Sequence, residues 1–264
     1  MITSVIIPCW IQDEETWKVT NDCIESFKQA DGDKLELILI DNASRVGTGY
    51  MRSEASVYVR FPQNVGFTVA MNYGIKLATG DLIALANNDI RVPGNWDITC
   101  REILNSDVNK DYQIATIHPK MIGYDDSFVG AIGNFVATSG MERWCGNSFA
   151  VTSKEFLETM REEEKGKEPY PGLFDQNFGI GGGADDWCFY HRVRKLGKQC
   201  FTNRTVFQHK GSFSLQKLGN KRQEIVNQNN EYFFKKYGCT KEELLTREFP
   251  EQMKEDYYNV LKSL

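Results

Sequence analysis

The sequence predicts an α/β protein with a mostly parallel β-sheet flanked by helices. Strand-like and helix-like segments alternate through the first half of the chain, which is the order expected of successive β-α-β units. The segments Leu35–Ile40 and Leu82–Ala86 are short and continuously apolar. Such runs are typical of strands whose two faces are both covered by helices. We therefore expect helices on both sides of the sheet.

The elements of the first half, residues 1–110, follow from their apolar periodicity. In chain order we predict a strand, a helix, two strands, a helix and a strand, over Ser4–Ile7, Glu14–Gln29, Leu35–Ile40, Val57–Phe61, Thr68–Leu77 and Leu82–Ala86.

The pattern changes in the second half, residues 111–220. From Tyr112 to Asn147, short β-like pieces are separated by glycines. Helical signals return at residues 153–164, where Ser153 is a candidate N-cap, and at residues 185–196. We predict a smaller β/α subregion of the same globular domain, followed by a charged, largely helical tail over residues 221–264.

Composition and charge argue against several classes of protein. The 264 residues carry a formal net charge of −5 without Lys/Arg blocks, which argues against nucleic acid as the main partner. No apolar run approaches the roughly 20 residues of a membrane-spanning helix, and the start lacks the basic region of a signal peptide. The seven cysteines are scattered without C-x-x-C, so neither a disulfide framework nor a thiolate zinc site is indicated. We expect a cytoplasmic protein, with peripheral attachment to the inner face of a membrane left open.

Polar residues follow three of the first four predicted strands, where ligands of open α/β sheets bind. Asp41, Asn64 and residues 87–89 occupy these ends, and Pro8 follows the first strand. A single Asp here is more often a turn residue or a helix cap, but two at neighbouring ends favour a site. No glycine-rich phosphate loop follows the first strand, so a diphosphate ligand would need a divalent cation, for which Asp89 is suitably placed. The alternative for Asp89 is a capping role before the turn at Pro93.

Seven segments of the chain carry a resemblance to a known family. They are Ser4–Pro8, Leu39–Ser44, Asn64–Gly74, Gly80–Asp89, Gly172–Asp175, Asp185–Asp186 and His209–Ser212. In this order they resemble the inverting GT-A glycosyltransferases of family 2, and the resemblance extends from Ser4 to about Gly238. It implies a GT-A type, Rossmann-like sheet and transfer of a hexose or pentose from a nucleoside-diphosphate sugar to a hydroxyl acceptor.

The resemblance also implies roles for single residues. It places Asp41 on the nucleotide base, Pro8 in the adjoining loop, Asn64 in the nucleotide site and Asn88 near the ribose. Residues 1–110 would then bind the nucleotide sugar, and residues 111–220 would form the acceptor and catalytic half.

The same resemblance implies a site for Mn²⁺ or Mg²⁺ on Asp89 and His209. Asn87 stands where the family's D-x-D motif has its first Asp, which leaves fewer anionic ligands. His209 lies 23 residues after Asp186, a compatible spacing, although on spacing alone it could equally be a hydrogen-bonded loop residue.

Asp185 and Asp186 resemble the acidic pair that supplies the catalytic base, although Glu is commoner at the first position. Helix geometry favours Asp186, because it lies three residues before Phe189 on the apolar stripe that continues to Val193. Asp185 lies on the side of Arg192, where a supporting ion pair is expected. The alternative for both is plain stabilisation of a helix N-terminus.

Two other functions stay open. Because Asn87 replaces an Asp, the chain could be a catalytically silent nucleotide-sugar binding module. A sugar-1-phosphate nucleotidyltransferase would need a basic glycine-rich loop after the first strand, which is missing. The resemblance does not extend to the tail from Cys239, whose apolar residues would pack on the core by default, or on a second subunit in a homodimer.

Overall fold

In the part of the chain that the structure describes, eight strands form one sheet with helices on both faces. The computed structural model describes residues 2–31, 34–94, 96–105, 114–123, 149–163, 173–180, 182–211 and 213–238. Within these ranges the strands are β1 (Thr3–Cys9), β2 (Leu35–Asp41), β3 (Val57–Arg60), β4 (Leu82–Ala86), β5 (Ile90–Arg91), β6 (Ile114–Ile122), β7 (Phe149–Ser153) and β8 (Gln199–His209). The α-helices are α1 (Glu14–Asp31), α2 (Thr48–Glu54), α3 (Phe67–Leu77), α4 (Trp96–Asn105), α5 (Lys154–Glu163), α6 (Asp185–Lys195) and α7 (Lys221–Tyr237).

The described strands lie in the order β3-β2-β1-β4-β7-β6-β8-β5. The pairs β1-β2, β2-β3, β1-β4 and β6-β8 are parallel. The pairs β4-β7, β6-β7 and β5-β8 are antiparallel. The predicted mostly parallel sheet is therefore confirmed, with antiparallel pairing confined to the half that contains β7 and the short strand β5.

Alternate residues along the strands enter two separate cores, one on each face of the sheet. On one face Val5 and Ile7 of β1 join the cluster that contains Phe27 of α1 and Trp96 of α4. On the other face Ile6 joins the cluster supplied by α3, α5 and α6. This alternation confirms the prediction that helices cover both faces.

Helix α3 lies so close to β1 that only glycine fits at its contact point. A Cβ atom added to Gly74 would lie 2.3 Å from Cγ2 of Ile6, which is fully buried. The glycine therefore sets the distance between the helix and the sheet, since any side chain would push the two apart.

The predicted elements match the structure in kind, with differences at their ends. β1 extends to Cys9, beyond the predicted Ile7, because its last two residues pair with Ile40 and Asp41 of β2. The predicted N-cap is confirmed, since the Ser153 hydroxyl accepts a hydrogen bond from the Phe156 N–H at 3.1 Å, in the first turn of α5. Most of the β-like stretch from 112 to 147, and the tail from 239, lie outside the described residues. Among the helices described, none combines the length and the apolar character that crossing a membrane requires.

Candidate active site

The carboxyl ends of the neighbouring parallel strands β1, β2 and β4 carry the predicted site residues Pro8, Asp41 and 88–89. In the β1-β2 pair Cys9 lies opposite Asp41, and in the β2-β3 pair Asp41 lies opposite Arg60. On the other side of β1, strand β4 is followed at once by Asn87, Asn88 and Asp89. The sheet thus places the two acidic residues at one edge, separated by the width of β1.

Asp89 and His209 are brought together by the pairing of β5 with β8. Ile90 lies opposite His209 in this antiparallel pair, and the Lys210 N–H donates to the Asp89 carbonyl at 2.9 Å. As a result, Nε2 of His209 lies 3.2 Å from Oδ1 of Asp89. Two residues 120 positions apart in the chain therefore share one point at the sheet edge.

These two atoms are buried and lack hydrogen-bond partners. Neither Asp89 Oδ1 nor His209 Nε2 makes a hydrogen bond with any described residue, including each other. The other oxygen of Asp89 accepts the Phe213 N–H at 3.2 Å. Buried polar atoms without partners are costly and rare, so two that face each other indicate a ligand between them or beside them.

The geometry of the pair fits a divalent cation. Two ligands of an octahedral cation, each about 2.1 Å from it and at right angles, lie about 3.0 Å apart. The observed separation of 3.2 Å is close to that value. Among the described residues there is no group of three or more His, Cys, Asp or Glu side chains placed to hold a metal ion. The chain itself thus offers two ligands here from the part that the structure describes.

Asn88 is hydrogen-bonded inside the protein. Its Nδ2 donates to the Thr20 hydroxyl of α1 at 2.8 Å and lies 3.3 Å from the Ser214 hydroxyl. Only 8% of Asn88 is exposed. The residue therefore connects α1 to the 3-10 helix Ser214–Leu218, and its contact with a ribose stays a prediction. Thr20 and Ser214 were not predicted, because single hydroxyl residues carry no sequence signal.

The same 3-10 helix is tied to the loop after β1 by an ion pair. Lys217 Nζ lies 2.8 Å from Asp13 Oδ2. This hydrogen bond is the largest cause that lowers the pKa of Asp13, to about 2. Asp13 also caps α1, since its Oδ1 accepts the Thr16 N–H at 2.9 Å. The segment from Phe213 to Lys217 is thus fastened at Asp89, at Asn88 and at Asp13.

Asp41 is fully buried and held by three donors of its own chain. Its Oδ1 accepts the Ser44 N–H at 2.7 Å, and its Oδ2 accepts the Tyr58 hydroxyl at 2.6 Å and the Arg60 guanidinium. The hydrogen bond to Asp41 is the main cause that raises the pKa of Arg60. The predicted contact of Asp41 with a base is untested by this arrangement. Tyr58 and Arg60 were not predicted as site residues. The β2-β3 register brings Arg60 opposite Asp41, and this register is not visible in the sequence.

Asn64 and Pro8 lie on either side of Asp41. Asn64 Oδ1 accepts hydrogen bonds from Asn42 Nδ2 at 2.7 Å and from the Gly66 N–H at 2.9 Å. Asn64 thus fixes the loop that leads into α3. Pro8 is half-buried and is the second-last residue of β1, where it lies opposite Ile40 of β2. Their predicted roles in nucleotide binding stay predictions.

Helix α6 begins at Asp185, and the apolar stripe expected on it is present. Phe189 and Val193 are completely buried in the second core. Asp186 belongs to the first turn of α6, and its side chain lies outside the described residues. Asp185 is 9% exposed, and Arg192 donates to the backbone carbonyls of Leu173 and Met160.

The chain is similar to known proteins in sequence and in fold. The family model "Glycosyl transferase family 2" matches residues 4–121. No curated protein sequence matches the chain significantly. Among solved structures, a mannosyltransferase from Pyrobaculum calidifontis in complex with GDP-Man and Mn²⁺ is similar over 98% of this chain and 68% of its own, with 17% identity and a TM-score of 0.60.

TarS of S. aureus is similar over 99% of this chain, with 13% identity and a TM-score of 0.58, and this chain spans 43% of its length. GalNAc-T7 with UDP, GalNAc and Mn²⁺ is similar over 97% of this chain and 55% of its own, with 14% identity and a TM-score of 0.56. These low identities show a shared fold. Together with the family match, which covers residues 4–121, they show a GT-A type, Rossmann-like fold.

Proposed function

We propose that the chain transfers a sugar from a nucleoside-diphosphate sugar to a hydroxyl acceptor, with inversion at the anomeric carbon and with the help of a divalent cation. The observation that carries this proposal is the pair of unpartnered, buried atoms of Asp89 and His209 at the carboxyl edge of the sheet. Residues 1–110 would bind the donor and residues 111–220 would receive the acceptor.

Asp89 and His209 would hold the cation. A carboxylate oxygen with an imidazole nitrogen suits Mn²⁺ better than Mg²⁺, which prefers oxygen ligands alone. When bound, the cation would offset the negative charge that develops on the leaving diphosphate. The mannosyltransferase in complex with GDP-Man and Mn²⁺ and GalNAc-T7 with UDP, GalNAc and Mn²⁺ support this assignment.

Asp186 would act as the general base. The acceptor oxygen would bond to the anomeric carbon while the proton of the acceptor hydroxyl passes to the Asp186 carboxylate. At the same time the bond from the anomeric carbon to the diphosphate oxygen would break, and that oxygen would keep the electron pair. A single displacement inverts the configuration. The position of Asp186 supports this role, because it lies one turn before the buried Phe189 in the first turn of α6, where the helix dipole favours an ionised carboxylate. Asp185, its neighbour, would support it.

The nucleotide would lie along the strand ends between Pro8 and Asn88. Asp41 would bind the base, Asn64 would shape the loop beneath it, and Asn88 would contact the ribose. Tyr58 and Arg60 donate hydrogen bonds to the Asp41 carboxylate. Because they lie next to Asp41, they would form part of the same base site. About 40% of the Arg60 side chain is exposed, and its guanidinium donates to Asp41 and to the Ser44 carbonyl.

The test is release of nucleoside diphosphate from a panel of nucleotide sugars with Mn²⁺, with Mg²⁺ and with a chelator. We expect release that the chelator abolishes and that Asp89→Asn abolishes as well. Asp81→Asn is the matched control, because Asp81 is an exposed Asp at the opposite end of the same strand. Binding of nucleoside diphosphate and metal without turnover on any acceptor would instead favour the silent binding module.

A further inference from the structure

Helix α7 contacts the glycine-rich segment that leads into α6. The side chain of Asn229 makes hydrogen bonds between them. Asn229 is 4% exposed. Its Oδ1 accepts the Gly179 N–H at 2.8 Å, and its Nδ2 donates to the Gly182 carbonyl at 2.6 Å and to the Gly179 carbonyl at 3.3 Å. A single amide therefore fastens both ends of the turn.

The glycines allow this close approach. A Cβ atom on Gly183 would lie 3.3 Å from Cβ of Asn229, and the residue has a φ of +116°, which L side chains rarely adopt. On Gly179 an added Cβ would lie 3.1 Å from Cγ2 of Ile225. The turn therefore lies directly against the surface of α7, with little room for any other side chain.

A second polar contact fixes the start of the same segment. Asp175 is fully buried, and its Oδ2 accepts hydrogen bonds from Tyr232 at 2.9 Å and from Lys236, both on α7. Burial alone would raise the pKa of Asp175, but the Lys236 ammonium and the Asn177 N–H outweigh it, so the pKa lies below its usual value. The carboxylate is thus ionised at neutral pH and paired with α7.

Helix α6 itself also packs on α7. The rings of Trp187 and Phe233 meet edge to face with centroids 5.7 Å apart, and Cys188 Sγ lies 2.9 Å from the Tyr237 hydroxyl. Ala184 links the turn to the helix, since its carbonyl accepts the Cys188 N–H at 3.0 Å. The first turn of α6, with Asp185 and Asp186, therefore has its entry fixed by the contacts of α7.

We propose that Asn229 is a positioning residue for sugar transfer: through its hydrogen bonds to Gly179 and Gly182 it sets the place of the first turn of α6, and so of the acidic pair. This inference rests on the proposed function. The hydrogen bonds described for the Asn229 side chain go to Gly179 and Gly182 and not to Asp89 or His209, so its loss should slow turnover without weakening donor binding. A misplacement of about 1 Å at a reacting group can cost about 100-fold in rate.

The experiment compares Asn229→Ala with Asn227→Ala, since Asn227 is an exposed Asn on the same helix whose side chain accepts a hydrogen bond from Gln223. The concentration of folded enzyme is set by titration with nucleoside diphosphate in the presence of Mn²⁺. For Asn229→Ala we expect about a 10- to 100-fold lower kcat for nucleoside diphosphate release, a Kd for nucleoside diphosphate within about 2-fold of wild type, and a displaced acid limb of the kcat–pH profile. Asn227→Ala should behave as wild type.

The inference would be overturned if Asn229→Ala, with its kcat calculated per nucleotide-binding site, had the kcat and the acid limb of wild type. It would also be overturned if the loss of activity were only as large as the loss of folded protein. If Asn229→Ala does not fold, Asn229→Asp is used, which keeps the acceptor for the Gly179 N–H and loses the donor to the Gly182 carbonyl. Absence of turnover by the wild-type chain on every nucleotide sugar would instead contradict the proposed function, and this inference with it.

Discussion

Replacement of Asp89 by Asn should stabilise the metal-free protein while it removes the metal site. In the structure Asp89 Oδ1 faces His209 Nε2 at 3.2 Å without a hydrogen bond. An Asn side chain can keep its oxygen on the Phe213 N–H and direct its amide donor to the imidazole nitrogen, which satisfies both buried atoms. A buried polar group without a partner costs about 1–3 kcal/mol, so the free energy of unfolding should rise by about that much.

For a chain of this size each kcal/mol corresponds to about 2–4 °C, so thermal unfolding without metal should show a higher Tm for Asp89→Asn. Wild type should gain about 2.7 kcal/mol at a Mn²⁺ concentration of about 100 times Kd, and the variant should gain far less. The assay is thermal unfolding with and without Mn²⁺, with Asp81→Asn as control. A variant that is less stable without metal, or that keeps the full Mn²⁺ effect, would refute this reasoning.

Further predictions concern catalysis, packing and thiol chemistry. Asp186→Asn should lower kcat about 10² to 10⁴-fold with an unchanged Kd for nucleoside diphosphate, and full activity would exclude it as the base. Gly74→Ala should destabilise by about 1–3 kcal/mol in urea unfolding, because its Cβ meets Ile6, whereas Gly49→Ala, with open space around it, should not destabilise. Burial raises the pKa of Cys188 to about 12, so its thiol stays protonated at pH 8. Iodoacetamide should therefore label it only after unfolding, as read by mass spectrometry, and rapid native labelling would contradict its burial.

The parallel half of the fold could be predicted because its signals are local. β2 and β4 are apolar runs that end at Asp41 and at residues 87–89, so the strands and the polar residues at their ends are visible together. The short elements gave no such signal: β5 has two residues and α2 seven, too few for an apolar period to appear. The pairing of β5 with β8 joins distant parts of the chain, which periodicity does not report.

The sequence indicated candidate site residues, but it could not indicate their contacts. His209 came from the family resemblance, and only the β5-β8 register shows why it reaches Asp89. The hydrogen bond from the Asn88 amide to Thr20 of α1 joins residues 68 positions apart, which no local sequence pattern reports. Asn229 hydrogen-bonds to backbone groups of glycines about 50 positions earlier in the chain. Contacts between a side chain and a distant backbone leave no periodic pattern in the sequence.

The most direct test of the cation site is pulsed electron paramagnetic resonance of Mn²⁺ bound to the chain with nucleoside diphosphate. We predict a nitrogen coupling from one imidazole that disappears in His209→Ala, where Mn²⁺ also binds more weakly. Mn²⁺ bound at full strength without nitrogen coupling, or with a coupling that survives His209→Ala, would contradict the account.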